Sequence, residues 1–189
     1  GFPKQVRRSK VRDAVAVAYA VLCEANMPAA ALDTLIGHAG DRPIFAIGIS
    51  PAKVGRLAGV LARLSCLFMN ANEARMLAGV GSGADIIEAA RVLRRKGLPR
   101  GVITSGGAPL TAFDAGGTFT IAPAPARSVA DVTGAGDAIA GVTVAHLMRG
   151  FAFADALRRG MAAARLTVEA STVVADYDDK AFEAALALV

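Results

Sequence analysis

Apolar residues along this 189-residue chain fall into two kinds of pattern, and their order predicts the architecture. Short unbroken or alternating runs predict strands. They are Ala14 to Leu22 (AVAVAYAVL), whose alanines also permit a helix, Pro43 to Ser50 (PIFAIGIS), Cys66 to Asn70 (CLFMN) and Gly101 to Ser105 (GVITS). Between them apolar positions recur at helical spacing. One helix is predicted from Pro28 to about His38, and another from Pro51 through Leu64 with Val54, Leu57, Leu61 and Leu64 on one face. A short helix over Asn72 to Ala78 is stopped by Gly79. Ala84 to Lys96 is amphipathic, with Ile86, Ile87, Ala90 and Leu93 inward, and Gly97 and Pro99 end it. Leu110 to Pro123 is two alternating runs around Ala115-Gly116-Gly117, a hairpin signal. The remainder is mostly helical, near Asp137 to Met148, Asp155 to Glu169 and Asp179 to Leu188. Strand and helix in alternation give an α/β fold, a mostly parallel sheet flanked by helices.

Open parallel sheets bind ligands at the carboxyl ends of their strands. Asn26, Ser50, Asn70 and Thr104 all fall at such ends. Lys53, at a helix start, either meets an anionic group or is an exposed lysine. Asn26 either bonds a substrate or closes a turn. Asn70 and Glu73, read alone, are equally a helix N-cap with a glutamate in the first turn.

The most chemical stretch is DVTGAGDAIAG, Asp131 to Gly141. Gly134 and Gly136 have no Cβ, so the backbone turns tightly and a ligand can come close. The first amides of the following helix have no partner inside it and sit at the positive end of its dipole. That is an anion site, suited to phosphate. Asp137 stands beside it. A carboxylate there repels a resting phosphate, but it makes sense as a base that takes a proton from an attacking hydroxyl. The alternative is an aspartate that merely complements the dipole after a glycine-rich turn. A dinucleotide fingerprint fails on spacing, and the Gly-Lys-Ser/Thr of a Walker loop is absent.

Composition changes this picture little. The chain is 54% hydrophobic and 5% aromatic without Trp, so the core is aliphatic. No apolar run approaches the roughly 20 residues that span a bilayer, and no signal peptide is expected. The net charge of +5 is local: Lys4, Arg7, Arg8, Lys10 and Arg12 supply it, and the rest of the chain balances. No aromatics are interleaved with them, so a solvated arm is expected in place of a nucleic-acid surface. Cys23 and Cys66 are expected as buried thiols in a reducing cytoplasm. His38 and His146 lack metal-ligand spacing.

DVTGAGDAIAG closely resembles the second signature of the ribokinase-like, or PfkB, family of carbohydrate and nucleoside kinases. The resemblance implies a three-layer ribokinase-like fold and ATP-dependent phosphorylation of a sugar or nucleoside hydroxyl. It implies Asp137 as catalytic base and Gly134, Ala135 and Gly136 as the anion hole. NANE, Asn70 to Glu73, matches the family's Asn-x-x-Glu, which holds the Mg²⁺–phosphate assembly, Glu73 acting through water. Thr104 and Gly106 match the Thr-x-Gly that meets the nucleotide, although Pro109 stands where a second glycine is usual. Asp131 and Thr133 correspond to residues near a monovalent cation, K⁺, in some members.

Three stretches resemble pseudouridine-kinase-like members: EANMP (Glu24 to Pro28, with Glu24 in place of Asp), ISPAK (Ile49 to Lys53) and AARLTVEASTVV (Ala163 to Val174), near the adenine side. Pseudouridine is therefore the expected acceptor, with Asn26, Ser50 and Lys53 toward substrate or phosphate. The alternatives are a kinase for ribose or fructose, and a nucleotide-binding fragment or pseudokinase without turnover. Family members begin with strands carrying a Gly-Gly motif that grips the acceptor, plus lid strands. Nothing between Gly1 and Asp13 supplies either. The expected organisation is a basic arm over 1–13 and a partial ATP-binding and catalytic domain over 14–189, lacking the N-terminal strands and lid. The sheet edge so exposed invites a homodimer. No nucleic-acid or membrane partner is expected.

Overall fold

The computed structural model describes residues 9–170 and 175–189. Lys4, Arg7 and Arg8 of the basic arm, and the last four residues of the Ala163 to Val174 stretch, lie outside the described residues. The chain divides into two compact units: residues up to Ser105 with Thr111–Phe119, and Gly106–Leu110 with Thr120–Val189.

The first unit is built on parallel strands. Helix α1 (Ser9–Val17) leads to β1 (Val21–Glu24), α2 (Ala29–Ala39), β2 (Ile44–Ile47), α3 (Pro51–Val54), a 3₁₀ segment (Gly55–Arg63) and β3 (Cys66–Asn70). Helices α4 (Ala71–Ala78) and α5 (Ile86–Arg95) then precede β4 (Gly101–Thr104), followed by the hairpin strands β5 (Leu110–Asp114) and β6 (Gly117–Ile121). The six strands follow sequence order across the sheet. β1 to β4 pair in parallel and β5 returns antiparallel to β4. This is the expected α/β architecture with a mostly parallel sheet.

Parallel strands covered on both faces need apolar side chains on both sides. Accordingly Cys66, Leu67, Phe68 and Met69 are all buried in β3, as are Gly101, Val102 and Ile103 in β4. The core continues through Leu32, Leu57, Leu93 and Phe113, each fully buried. Gly101 faces Phe113 across the β4–β5 ladder, and a Cβ there would stand 2.4 Å from the Phe113 ring. The aromatic ring occupies the space that a missing side chain leaves.

Two expectations need correction. Ala14 to Leu22 is not one strand: α1 runs through Val17 and the strand begins only at Val21. The alanines support a helix, and a distant residue ends it. The Arg42 guanidinium donates to the carbonyls of Ala18 (2.9 Å) and Ala16. Likewise Pro51 to Leu64 is not a single α-helix, because the 3₁₀ segment takes over at Gly55. Val54, Leu57 and Val60 are buried at every third position, the period of a 3₁₀ helix, with Leu61 and Leu64 buried beside them.

Among its described residues the second unit holds three helices, α6 (Ala135–Leu147), α7 (Phe153–Glu169) and α8 (Asp179–Leu186). Gly160 of α7 lies against α6: a Cβ there would meet Thr143 Oγ1 at 2.4 Å and the Ile139 carbonyl at 2.8 Å. Thr143 is fully buried and its hydroxyl donates to the Ala156 carbonyl at 3.4 Å. No helix among the described residues is long and apolar enough to cross a membrane.

Candidate active site

Four of the expected polar positions gather at the carboxyl ends of the parallel strands in the first unit. Asn70 ends β3 and Thr104 ends β4, and the two are register partners. Asn26 follows β1, where the Ala25 amide donates to the Ile47 carbonyl of β2 (3.0 Å). Ser50 precedes α3 and its backbone carbonyl receives the amides of Lys53 and Val54, while its side chain makes no cap.

Asn70 and Glu73 form a complete capping box. Asn70 Oδ1 accepts the amides of Asn72 and Glu73, each at 3.0 Å. In return Glu73 Oε2 accepts the Asn70 amide (2.9 Å), and Oε1 accepts from Asn70 Nδ2 (2.8 Å). Such a cap contributes about 1 kcal/mol to a helix. The capping reading of this pair is therefore part of its role. Glu73 is only 2% exposed. Burial pushes its carboxyl above the ordinary value, against the lowering effect of the Asn70 donors. Gly48, just past β2, makes room for it, since a Cβ there would stand 2.4 Å from Glu73 Oε2.

A second cluster joins Asn26 to Lys53. Lys53 Nζ donates to Asn26 Oδ1 at 2.6 Å, and Asn26 Nδ2 donates to Glu24 Oε2 at 3.4 Å. Arg56 fixes the loop from behind, donating to the carbonyls of Ala25 (3.2 Å) and Asn26 (2.9 Å). Sequence reasoning passes over Arg56 and Gly48. The one signal for Arg56 is its place three residues after Lys53, on the same helical edge.

The second unit carries the glycine-rich stretch. Asp131 Oδ1 accepts the amide (2.9 Å) and the hydroxyl (2.8 Å) of Thr133, which hold the Asp131 carboxyl below its usual range. The chain then turns through Gly134 at φ +81°, a left-handed conformation that favours glycine, and enters α6 without a side-chain cap. The Ala135 amide makes a long bond to the Val132 carbonyl (3.4 Å), and that of Ala138 bonds the Gly134 carbonyl. The amides of Gly136 and Asp137 find no acceptor among the described residues. Asp137 is exposed, and a Cβ on Gly136 would meet nothing within 4 Å. An open backbone with two free amides at the positive end of a 13-residue helix suits a phosphate. Gly106, also in this unit, takes φ +61°.

The pattern of the pfkB family carbohydrate kinases matches residues 5–180. The chain belongs to that family. A cytidine kinase of Thermococcus kodakarensis is 33% identical over 107 residues, 56% of this chain and 37% of that protein. The structure of a carbohydrate kinase from Agrobacterium tumefaciens superposes with a TM-score of 0.82 at 38% identity, over 99% of this chain and 60% of that one. The Arabidopsis thaliana ribokinase complexed with ribose and ATP superposes with a TM-score of 0.82 at 21% identity, over 95% of this chain and 59% of that one. At that identity it shows the pfkB kinase fold alone. The chain thus spans less than two thirds of the length of each of these kinases.

Proposed function

We propose that this pfkB-family chain carries the ATP-binding and catalytic part of a kinase that phosphorylates a sugar or nucleoside hydroxyl. The observation that carries the reading is the uncapped start of α6, where the free amides of Gly136 and Asp137 adjoin an exposed carboxylate. Gly134, Ala135 and Gly136 form the anion hole. Asp137 orients the acceptor hydroxyl and takes its proton as it attacks. Phosphoryl transfer is mostly positioning and electrostatics, so preorganised amides and one base are the parts it needs. Thr104 and Gly106 meet the nucleotide.

ATP supplies the transferable phosphoryl group, and Mg²⁺ neutralises its charge. The donor set of Asn70 and Glu73 fits a hydrated Mg²⁺. The two Glu73 oxygens each accept one bond in the capping box and retain further acceptor capacity, and Mg²⁺ keeps several waters. Asp131 and Thr133 are the candidate K⁺ residues; the Asp131 carboxylate is fixed by Thr133 and stays charged. The proposed organisation is an arm over 1–13, whose last residues open α1, and a partial domain over 14–189, acting in a reducing cytoplasm.

For the acceptor we favour pseudouridine, with Asn26, Ser50 and Lys53 toward it. The support is the resemblance of Glu24 to Pro28 and Ile49 to Lys53 to pseudouridine-kinase-like members. The cytidine kinase relative also favours a nucleoside. A second reading is nucleotide binding without turnover. A panel of pseudouridine, cytidine, ribose and fructose with ATP and Mg²⁺ separates these readings. Phosphorylation of pseudouridine at the highest kcat/KM is the expected result. Preference for ribose or fructose removes the nucleoside assignment, and binding of ATP with no turnover on any acceptor selects the second reading.

A further inference from the structure

The last turn of α7 is tied to the segment that leads into the glycine-rich stretch, and the ties converge on one carboxylate. Glu169 Oε1 accepts the Arg127 amide at 2.8 Å and Arg165 Nε at 3.0 Å. Arg165 is buried, and its partner Glu169 is mostly covered. One residue earlier, the Val168 carbonyl accepts the amides of Ala130 (2.9 Å) and Asp131 (3.5 Å). Asp131 in turn holds Thr133, and Gly134 follows directly. Hydrogen bonds at Arg127, Ala130, Asp131 and Thr133 therefore tie the chain at intervals between the end of α7 and the start of α6.

We propose that Glu169, held by Arg165, is a positioning residue: it fixes the path of residues 127–133 and thereby the placement of the free amides of Gly136 and Asp137. The inference rests on the reading of those amides as a phosphate site. It gives the Thr-Val-Glu stretch a role apart from the adenine side. An exposed loop without such ties would sample many paths into the helix, and each ordering step would then fall on the ligand. With the ties in place the site is ordered before the phosphate arrives.

The alternative is an i, i+4 ion pair that stabilises α7 and nothing else. Two conservative variants separate the cases in the 189-residue chain. Glu169→Asp keeps the charge and shortens the reach, whereas Glu169→Gln keeps the reach and an accepting oxygen. Amide hydrogen exchange at Arg127, Ala130 and Asp131 reads the loop, and calorimetry reads ATP-Mg²⁺ affinity. In Glu169→Asp, protection at Arg127 and Ala130 is expected to fall about tenfold, and nucleotide affinity about fivefold. Glu169→Gln is expected within about twofold of the parent on both measures, since its amide oxygen still accepts the Arg127 amide. Unchanged protection in Glu169→Asp overturns the proposal, as does greater damage in Glu169→Gln, which marks a simple ion pair. Gly136→Val tests the underlying reading separately. Lost protection in Glu169→Asp with unchanged affinity overturns the positioning role if Gly136→Val does weaken binding. Unchanged affinity in Gly136→Val removes the phosphate site itself, and this inference with it.

Discussion

Glu73 and Asp137 are two carboxylates at helix starts in opposite surroundings, and the surroundings set different expectations. Glu73 is buried against Gly48 and Asn70, and burial raises its pKa above the ordinary 4.5. Folding therefore shifts the Glu73 carboxyl toward its protonated form relative to the unfolded chain. Stability linked to Glu73 is fully present below pH 4.5 and is lost as the pH climbs through the raised folded value. The stability of the parent relative to Glu73→Gln should accordingly shrink as pH rises through that window, by denaturant titration; a difference that grows with pH would contradict the buried, capping carboxylate. Asp137 is exposed and follows two glycine-flanked amides. Asp137→Asn keeps the shape but cannot accept the proton, so it should abolish phosphoryl transfer in an active kinase and spare ATP binding. Retention of turnover within about tenfold of the parent, about 1.4 kcal/mol in the barrier, would remove the base.

At the scale of elements, the placement of α6 depends on how closely α7 approaches it. Gly160 is packed against Thr143 Oγ1 and the backbone of Ile139, and Ile139 lies only two residues after Asp137. A flexible side-chain end could yield to an added methyl, but a backbone carbonyl 2.8 Å away cannot do so without moving its helix. Gly160→Ala should therefore destabilise the chain by about 1–3 kcal/mol through overpacking. It should also shift the amide resonances of the first turn of α6. A melting temperature equal to the parent's would show that the two helices separate at no cost. The elements also explain where periodicity misleads. A 3.6-residue pattern and a 3.0-residue pattern both account for Val54 and Leu57, and only the burial of Val60 distinguishes them. The alternation of alanine and valine before β1 fits a strand as well as a helix, and the Arg42 guanidinium closes the helix from 24 residues away.

For the whole molecule, two expectations concern the chain as it stands. ATP-Mg²⁺ should bind weakly, and turnover on pseudouridine, ribose or fructose should be low. Acceptor positioning can be worth ~7–11 kcal/mol, and no strand among the described residues carries the Gly-Gly motif to which the family resemblance assigns acceptor gripping. Turnover on the order of 1 s⁻¹ or faster in a coupled assay would show that the acceptor pocket is completed within this sequence or by a second copy. Both cysteines should resist thiol reagents until the chain unfolds: burial, with the nearby Glu24 charge, pushes Cys23 up to about 11, and burial drives the fully enclosed Cys66 upward too. Rapid reaction of either in the native state would contradict the packing of β1 or β3. The sequence by itself determined the alternation of strand and helix, the hairpin at Ala115 to Gly117 and the family, because period, glycine and a short motif are local properties of the chain. Capping at Asn70 was also legible, since N-cap and third helical residue lie within one turn. Tertiary structure alone decided that Glu73 fills the space above Gly48, that Phe113 covers Gly101 and that Glu169 reaches back 42 residues to Arg127. Those contacts join positions far apart in the chain, and no local pattern records which distant atom will occupy a given space or satisfy a given amide.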